Sequence, residues 1–392
     1  VFVGVPVSHT LEPSENMKIT ILILFFLPAL LNGEWIEPFT RTAQGLPVPY
    51  SDYKPVFPRD HGSHRGYGIE WWYWVGHLTE KGGEEKFGFQ STVFRLAGDP
   101  QEARKQAFGN FGNRQLYMAH TALSDLNGEK YLHRDRILRE GWQASASDRT
   151  LSLKVGGIEA VMLDDGTGHR LKCGFLGDDL LELELVPKKP LVRFGDNGLS
   201  RKGNGRSSVS WYWSYTRLQA KGKLRYEGKE VEVSGLAWMD HEISSSQLGD
   251  DLEGWDWTCI QLADDTEVKA YRLRRKDGRS DPWSAVYWID EHGKTERIYG
   301  NDFSWIVERT WTSPSTGLKY PTTVRIEAIR PGRGKVVYRL SPIIENQEFI
   351  GKIKSNAYWE GACRVSDDQG RTVGKAYLEL AGYAGDLGAR LN

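Results

Sequence analysis

Hydrophobic and polar residues alternate along much of the chain, in short runs separated by glycine-rich turns. The alternation predicts strands over residues 71–78, 86–95, 118–123, 151–155, 181–186, 211–218 and 231–238. The turn EKGGE at 80–84 joins the first two runs and predicts a β-hairpin. Helical periodicity is almost absent, and the best helix candidate is 100–108. Many short strands joined by glycine turns favour an all-β sandwich or barrel.

A weak internal repeat divides the chain. Trp72-Tyr-Trp74 begins one strand–turn–strand unit, and Trp255-Asp-Trp257 begins a second. The polar stretch 244–251 separates the two units. We therefore predict an N-terminal domain at 61–245 and a C-terminal domain at 246–388, preceded by a proline-rich lead-in arm at 34–60.

The amino-terminal region has the pattern of an export signal. Residues 17–33 start with Met17 and Lys18, continue with a mostly apolar run and end in small or polar residues. This pattern is typical of a secretory signal peptide and is too short for a spanning helix. We interpret residues 1–16 as an extension upstream of the true start, and we expect an exported protein without a stable membrane anchor.

Composition and charge narrow the function classes. The formal net charge is -1, so the chain has no basic excess for binding nucleic acid. Its 15 Trp, 17 Tyr and 14 Phe favour β-structure and aromatic-lined sites. Cys173, Cys259 and Cys363 lie far apart, which predicts buried thiols and neither a disulfide framework nor a zinc ribbon. Dinucleotide, P-loop and Gly-x-Ser-x-Gly patterns are absent from the sequence.

The segment Trp238-Met-Asp-His-Glu242 carries the strongest candidate chemistry. If the strand at 231–238 continues, Trp238, Asp240 and Glu242 share one face, and Met239 and His241 share the other. Two close carboxyl groups raise the pKa of one of them, and burial raises it further, which makes a general acid. On this reading His241 orients the acid or acts as its partner base.

A plainer interpretation of the same residues stays open. Asp-His-Glu at a strand end is often a solvated turn. A metal site at His61-Gly-Ser-His64 or at Asp240-His241-Glu242 is weaker still, because a closed ligand set needs three or four converging groups. We therefore expect neither a metal nor a cofactor.

Acidic residues also lie beside tryptophan at three other places. Glu70 precedes Trp71-Trp72, Asp256 lies between Trp255 and Trp257, and Glu360 follows Trp359. Aromatic faces stabilise cations, so an apolar pocket with an acid and several Trp faces suits protonation of an alkene. The alternative is that these Trp residues are barrel core whose indole N–H groups need polar partners.

The ordered motifs of the chain resemble the carotenoid 1,2-hydratase (hydroxyneurosporene synthase) family and its bacterial AttH-type relatives. The resemblance covers about residues 50–385. It rests on eight motifs: Glu70-Trp-Trp-Tyr73, Lys86-Phe-Gly-Phe-Gln90, Tyr117-Met-Ala-His-Thr-Ala-Leu-Ser-Asp125, Tyr212-Trp-Ser-Tyr-Thr-Arg217, Gly235-Leu-Ala-Trp-Met-Asp-His-Glu242, Gly254-Trp-Asp-Trp257, Tyr358-Trp-Glu-Gly361 and Tyr377-Leu-Glu-Leu-Ala-Gly-Tyr383.

The resemblance implies two lipocalin-like antiparallel β-barrels packed side by side, with an apolar ligand cavity. It also implies cofactor-free addition of water to an isoprenoid double bond, although many bacterial relatives are labelled only as secreted hydrolases. The candidate catalytic residues are Asp240, by preference, with His241, Glu242 and Glu70. The candidate substrate-binding residues are Trp72, Tyr73, His120, Tyr215, Trp238, Trp255, Asp256, Trp257, Trp359 and Glu360.

The predicted function is acid catalysis on an apolar isoprenoid- or lipid-like substrate, by hydratase-type water addition or related lyase or isomerase chemistry. Two alternatives remain: a non-catalytic carrier of a lipid or isoprenoid, and a secreted hydrolase of an apolar ester or lactone. The expected partner in each case is a small apolar ligand. The sequence does not indicate an oligomeric state.

Overall fold

A computed structural model describes residues 37–83, 85–98, 115–352, 356–385 and 387. The predicted helix at 100–108 and the predicted signal peptide at 17–33 lie outside these residues. The regular elements of the described part are β-strands and two short 3-10 helices, Arg59–His61 and Gly300–Asp302. This confirms the predicted all-β class. Within the same residues, no helix has the length and apolar character needed to cross a membrane.

The first sheet has 13 antiparallel strands. They are β1 (Ile69–Glu80), β2 (Glu85–Ala97), β3 (Gln115–Asp125), β4 (Lys130–Arg139), β5 (Ala144–Ala146), β6 (Ser152–Val155), β7 (Ile158–Met162), β8 (His169–Gly174), β9 (Leu180–Pro187), β10 (Val192–Arg193), β11 (Leu199–Arg201), β12 (Val209–Tyr226) and β13 (Lys229–Ser244). The seven predicted strands coincide with β1, β2, β3, β6, β9, β12 and β13. The predicted hairpin is β1–β2, and its turn uses a left-handed glycine, Gly82, at φ +78°.

The second sheet has 10 antiparallel strands. They are β14 (Leu252–Leu262), β15 (Glu267–Arg275), β16 (Ala285–Ile289), β17 (Thr295–Tyr299), β18 (Phe303–Thr312), β19 (Lys319–Arg330), β20 (Gly334–Pro342), β21 (Glu348–Phe349), β22 (Tyr358–Ser366) and β23 (Thr372–Ala381). This sheet begins eight residues after β13 ends, close to the predicted seam at 244–251. The division into two domains stays a prediction.

The two sheets share a pairing scheme, which is the structural counterpart of the sequence repeat. In the first sheet, β1 lies between β2 and β13. In the second sheet, β14 lies between β15 and β23. The first strand of each sheet therefore pairs with both the second and the last strand of that sheet. Trp72-Tyr-Trp74 and Trp255-Asp-Trp257 lie on these corresponding first strands.

The first sheet curls into a nearly closed barrel. The Thr121 hydroxyl of β3 donates to the carbonyl of Gly174 at the end of β8, at 2.9 Å, and Arg134 of β4 donates to the Phe175 carbonyl at 3.1 Å. The barrel encloses a core that includes Trp72, Trp74 and Met239, and a second core is formed by buried apolar residues of the other sheet. All three cysteines are buried and free, as predicted.

The sheets pack closely against each other through β1 and β2 on one side and β22 and β23 on the other. Gly88 is required at this contact, because a Cβ there would lie 2.5 Å from the Tyr377 hydroxyl oxygen. Further along, the buried carboxylate of Glu267 on β15 accepts from Lys189 at 2.8 Å and from Arg217 of β12 at 2.5 Å. A third group of buried apolar residues lies between the sheets and includes Tyr73, Trp238 and Trp257.

Candidate functional site

Asp240, His241 and Glu242 lie inside strand β13, paired with β1 on one side and β12 on the other. The alternative of a solvated turn is therefore wrong, and all three side chains are buried. Because side chains alternate along a strand, Asp240 and Glu242 face the second sheet, whereas His241 faces the interior of the first barrel. The predicted separation of two faces is present, and it places His241 away from the two carboxyl groups.

A cavity with a volume of about 270 Å³ lies between the two sheets. Strands β1, β2, β3, β12 and β13 provide one wall, and β14, β15, β22 and β23 provide the other. Its lining is mostly apolar. The aromatic members are Trp71, Tyr73, Phe94, Tyr212, Trp255, Trp257, Tyr271 and Tyr358. Four carboxyl groups open onto this apolar space: Asp240, Glu242, Glu360 and Glu379.

Asp240 is held by three hydrogen-bond donors. The Tyr212 hydroxyl donates to its Oδ2 at 2.5 Å, the Trp238 indole N–H donates to its Oδ1 at 2.6 Å, and the Ser214 hydroxyl also donates to Oδ1. Burial raises the pKa of Asp240 above its usual value, and the nearby Lys269 and the three donors oppose this effect only in part. Asp240 is thus oriented by Tyr212, Ser214 and Trp238, and the prediction that His241 orients it is wrong.

Glu242 is neutralised by a cation of the first sheet. Its Oε2 lies 2.9 Å from the Lys202 Nζ, and the Ser210 hydroxyl donates to the same oxygen at 2.5 Å. The ammonium of Lys202 also lies 4.6 Å from the centre of the Tyr212 ring. Glu242 is therefore a paired carboxylate at the rim of the site rather than a free acid.

Glu360 and Glu379 form the least compensated acidic pair of the cavity. They are direct partners across β22 and β23. The Tyr73 hydroxyl donates to Glu360, and a hydrogen bond from Trp255 reaches Glu379. Burial, reinforced by the charge of Glu379, raises the pKa of Glu360 well above its usual range. Burial also raises the pKa of Glu379 to about 7. The pair therefore keeps at least one proton near neutral pH.

Glu379 was missed by sequence reasoning, as was Lys269. Glu379 is the single charged residue in Ala376-Tyr-Leu-Glu-Leu-Ala381, and a lone acid in an apolar run is the signal that would have found it. Lys269 lies on β15 among other charged residues, so no comparable signal marks it in the sequence. The Lys269 ammonium lies 3.4 Å from the centre of the Tyr212 ring and 3.7 Å from that of Phe194, and burial lowers its pKa well below the usual value.

Glu70 and His241 belong to a separate buried network on the barrel side of β1 and β13. The Glu70 carboxylate accepts from His241 Nε2 at 2.9 Å, from His64 Nδ1 at 2.9 Å and from Arg95 Nε at 2.8 Å. Burial alone would raise the pKa of Glu70, but these donors outweigh it and hold the pKa well below its usual value. Neither Glu70 nor His241 lines the cavity, so the prediction that both act there with Asp240 is wrong.

The same network is the one group among the described residues whose atoms are spaced for a metal ion: His64, Glu70 and His241 offer ligand atoms within 4.8 Å of one another. Hydrogen bonds already join the atoms that a metal would need, His64 Nδ1, Glu70 Oε1 and His241 Nε2. The Trp213 indole donates to His241 Nδ1 at 3.1 Å, which leaves the ring proton on Nε2, the atom that faces Glu70. Burial lowers the pKa of His64, but hydrogen bonds to Asp60 and Glu70 raise it to about 9, so this ring is a cation.

Several other candidate residues lie outside the cavity wall, and each has a structural partner instead. The Trp72 indole donates to the His61 carbonyl at 3.0 Å, and that of Trp359 donates to the Glu345 carbonyl at 2.8 Å. Tyr215 contacts His61 Nε2 at 3.1 Å inside the first barrel. These three predictions of substrate contact are wrong, because Trp72 and Tyr215 face the core of the first barrel and Trp359 faces the core of the second sheet.

Asp256 and Trp238 also lie behind the wall. Asp256 forms ion pairs with Arg272 and Arg274 and accepts from the Tyr383 hydroxyl at 2.9 Å. Trp238 packs edge-on against Trp257, with 6.2 Å between ring centres, and reaches the site only through Asp240. The remaining candidates line the cavity: Tyr73, His120, Trp255, Trp257 and Glu360, together with Asp240 and Glu242. Their role in catalysis stays a prediction.

Comparison with known proteins agrees with this fold. The family model described as AttH-like matches residues 48–383. A crystal structure of a candidate AttH from Nitrosomonas europaea has a TM-score of 0.75 and 33% sequence identity, covering 86% of this chain and 99% of that chain. Kievitone hydratase from Nectria haematococca has a TM-score of 0.60 at 14% identity, covering 88% of this chain and 98% of that chain, which shows the shared fold alone.

A search of curated proteins gives no significant match. The match spans most of the chain, from the lead-in arm to the end of the second sheet, and includes the strands that form the cavity. On this evidence the chain belongs to the AttH-like family.

Proposed function

We propose that this protein is a cofactor-free hydro-lyase that adds water to, or removes it from, an apolar unsaturated substrate held between the two sheets. The observation that carries the proposal is the Glu360–Glu379 pair, two facing carboxyl groups on an aromatic-lined, apolar wall. A carboxyl group that keeps its proton near neutral pH is a general acid, and an alkene carbon is a site to which it can transfer that proton.

The pair suits proton donation better than Asp240 does. Asp240 receives three hydrogen bonds that favour its carboxylate form. Glu360 receives one, from Tyr73, and faces the charge of Glu379. Two like charges on neighbouring strands disfavour double ionisation, so one proton stays on the pair and is available to the substrate. This moves the preferred acid from Asp240 to Glu360 and Glu379.

The rest of the cavity suits a carbocation. Trp255 and Trp257 present rings to the cavity, and Asp240 adds a carboxyl group that its donors hold in place. Indole rings stabilise a cation in an apolar site. The proton of the pair forms a C–H bond at one alkene carbon, and a water molecule then forms a C–O bond at the other and releases a proton. Dehydration is the reverse of these steps.

The comparisons support the class of reaction and leave the substrate open. Kievitone hydratase, whose name describes a hydro-lyase, shares this fold. The motif resemblance to carotenoid 1,2-hydratases points to the same class. We also propose that the protein is exported and that it binds an isoprenoid rather than another apolar compound.

The test is incubation of the purified protein in heavy water with a panel of acyclic carotenoids, shorter isoprenoids, unsaturated fatty acids and lipid esters, followed by mass spectrometry. The wild type is compared with Glu360→Gln and Asp240→Asn, and with Glu182→Gln as a matched control on the exposed face of β9. We expect deuterium on carbon with the wild type and the control, and none with Glu360→Gln.

Two other outcomes would reject the hydro-lyase. Stoichiometric retention of a panel compound without deuterium on carbon, by the wild type and Glu360→Gln alike, would identify a carrier. Cleaved esters without deuterium on carbon would identify a hydrolase.

A further inference from the structure

A chain of polar side chains connects the two walls of the cavity and has no part in the acid chemistry described above. It starts at Gln90 on β2, continues through Tyr358 on β22 and His120 on β3, and ends at Asp135 on β4. Gln90, Tyr358 and His120 line the cavity. All except Tyr358 belong to the first sheet, so the chain is complete only because the two sheets meet.

The hydrogen-bond directions along this chain are determined by what each group can donate. Gln90 Nε2 donates to the Tyr358 hydroxyl oxygen at 2.8 Å. The hydroxyl proton of Tyr358 is then free to be donated to His120 Nδ1, 3.0 Å away. His120 consequently carries its ring proton on Nε2, which lies 3.7 Å from Asp135 Oδ1.

The environment keeps His120 neutral and fixed in position. Its ring stacks on Phe349 with 4.4 Å between ring centres, and burial lowers its pKa to about 4. A neutral imidazole whose Nδ1 accepts from a phenol is a base, and the nearby carboxylate of Asp135 stabilises the imidazolium that forms when it takes a proton. His120 Nε2 and Asp135 Oδ1 have no hydrogen-bond partner in the described part of the chain.

We propose that Tyr358 and His120 are the general base of the cavity, with Asp135 as their positioning residue. This rests on the proposed hydro-lyase function. As water bonds to the substrate cation, its proton passes to the Tyr358 oxygen while the Tyr358 proton passes to His120 Nδ1. The resulting imidazolium returns this proton to the Glu360–Glu379 pair or to solvent, so the net change is alkene plus water to alcohol.

The placement of base and acid suits this reaction. Tyr358 and Glu360 are two residues apart on β22, and both line the cavity. Alternate residues of a strand are about 7 Å apart and share a face.

The first test separates protonation from water addition. It uses the panel compound that the wild type labels in heavy water. Protonation followed by proton loss places deuterium in recovered alkene, whereas capture by water gives deuterated alcohol. For Tyr358→Phe we expect the rate of deuterated-alcohol formation to fall by about 100-fold or more. The rate of deuterium exchange into the alkene should stay within about threefold of the wild-type rate. Asp135→Asn should show the same split more weakly, and Tyr50→Phe, which removes an exposed phenol outside the cavity lining, should change neither rate.

An equal loss of alkene exchange and alcohol by Tyr358→Phe, or no loss of either, would overturn the base assignment. An absence of both products with the wild type would instead reject the proposed function. A second measurement needs no substrate: ¹⁵N NMR of histidine-labelled protein, with His120→Gln to assign the signal. We expect the Nε2–H tautomer of His120, and an Nδ1–H tautomer or an imidazolium at pH 7 would overturn the relay.

Discussion

Glu360 and Glu379 face each other across strands β22 and β23, and both open onto the cavity between the two sheets. Neither has a cationic partner among the ion pairs of the described residues. Three other buried acids do: Glu242 has Lys202, Asp256 has two arginines and Glu267 has Lys189 and Arg217. Buried Asp240 and Glu348 each have three neutral hydrogen-bond donors instead. Glu360 and Glu379 differ from both groups, because two carboxyl groups with few donors face each other at the cavity wall.

Glu360 and Glu379 should behave as one catalytic unit. We expect Glu360→Gln and Glu379→Gln each to lower kcat by about 10²- to 10⁴-fold, the usual contribution of a general acid. The kcat of the double variant should be only slightly below that of the less active single variant, because both changes remove the same shared proton. A double-variant cycle of kcat measures this, and strictly multiplicative losses would show that the two carboxyls act separately.

The rate should depend on pH in a bell shape with an optimum in mildly acidic solution. Burial raises the pKa of Glu379 to about 7, so kcat/KM should fall as pH rises through that value and the acid loses its proton. Burial lowers the pKa of His120 to about 4, so kcat/KM should also fall below that value, where the base becomes protonated. Asp135→Asn should move the acidic limb to lower pH, because the carboxylate of Asp135 favours the charged imidazole.

Glu379 should lower stability at alkaline pH. Its pKa is higher in the folded protein, about 7, than the ordinary value of 4.5. Proton binding therefore favours the folded state fully below about pH 4.5, and this contribution is lost as pH rises through about 7. Glu379→Gln should raise the free energy of unfolding by at most about 3 kcal/mol at pH 8, with no gain at pH 4. Urea unfolding at both pH values measures this, and an equal effect at the two would contradict it.

Glu70 should matter for folding rather than for chemistry. Its removal leaves Arg95, which is fully buried, and the His64 cation without their shared carboxylate. We expect Glu70→Gln to destabilise the protein by about 3–5 kcal/mol, the usual cost of breaking a buried ion network. Glu182→Gln on the surface is the control, and urea unfolding is the measurement. A Glu70→Gln protein of wild-type stability that lacks turnover would restore Glu70 to the catalytic site.

The alternation of apolar and polar residues was enough to predict the all-β class, the β1–β2 hairpin and the two faces of β13. These features are local. A strand has a period of two residues, so the identity of Trp238, Asp240 and Glu242 already places them on one face. The sequence also indicated that acids and aromatic rings share a site, because they are adjacent along the chain.

Which face meets which partner was decided by the tertiary structure alone. His241 follows Asp240 directly, yet its neighbours are Glu70 and Trp213, whereas Asp240 meets Tyr212 and Ser214. The sequence predicted that Trp72 and Trp359 line the cavity, but their side chains face the two cores. Alternation along a strand assigns side chains to two faces, and it does not show which face lies inside a curled sheet and which packs on another sheet. Three features depend on which strands pair and on how closely the two sheets pack at Gly88: the cavity, its Glu360–Glu379 pair and the chain from Gln90 to Asp135. These are contacts between residues far apart in the sequence, so no local pattern predicts them.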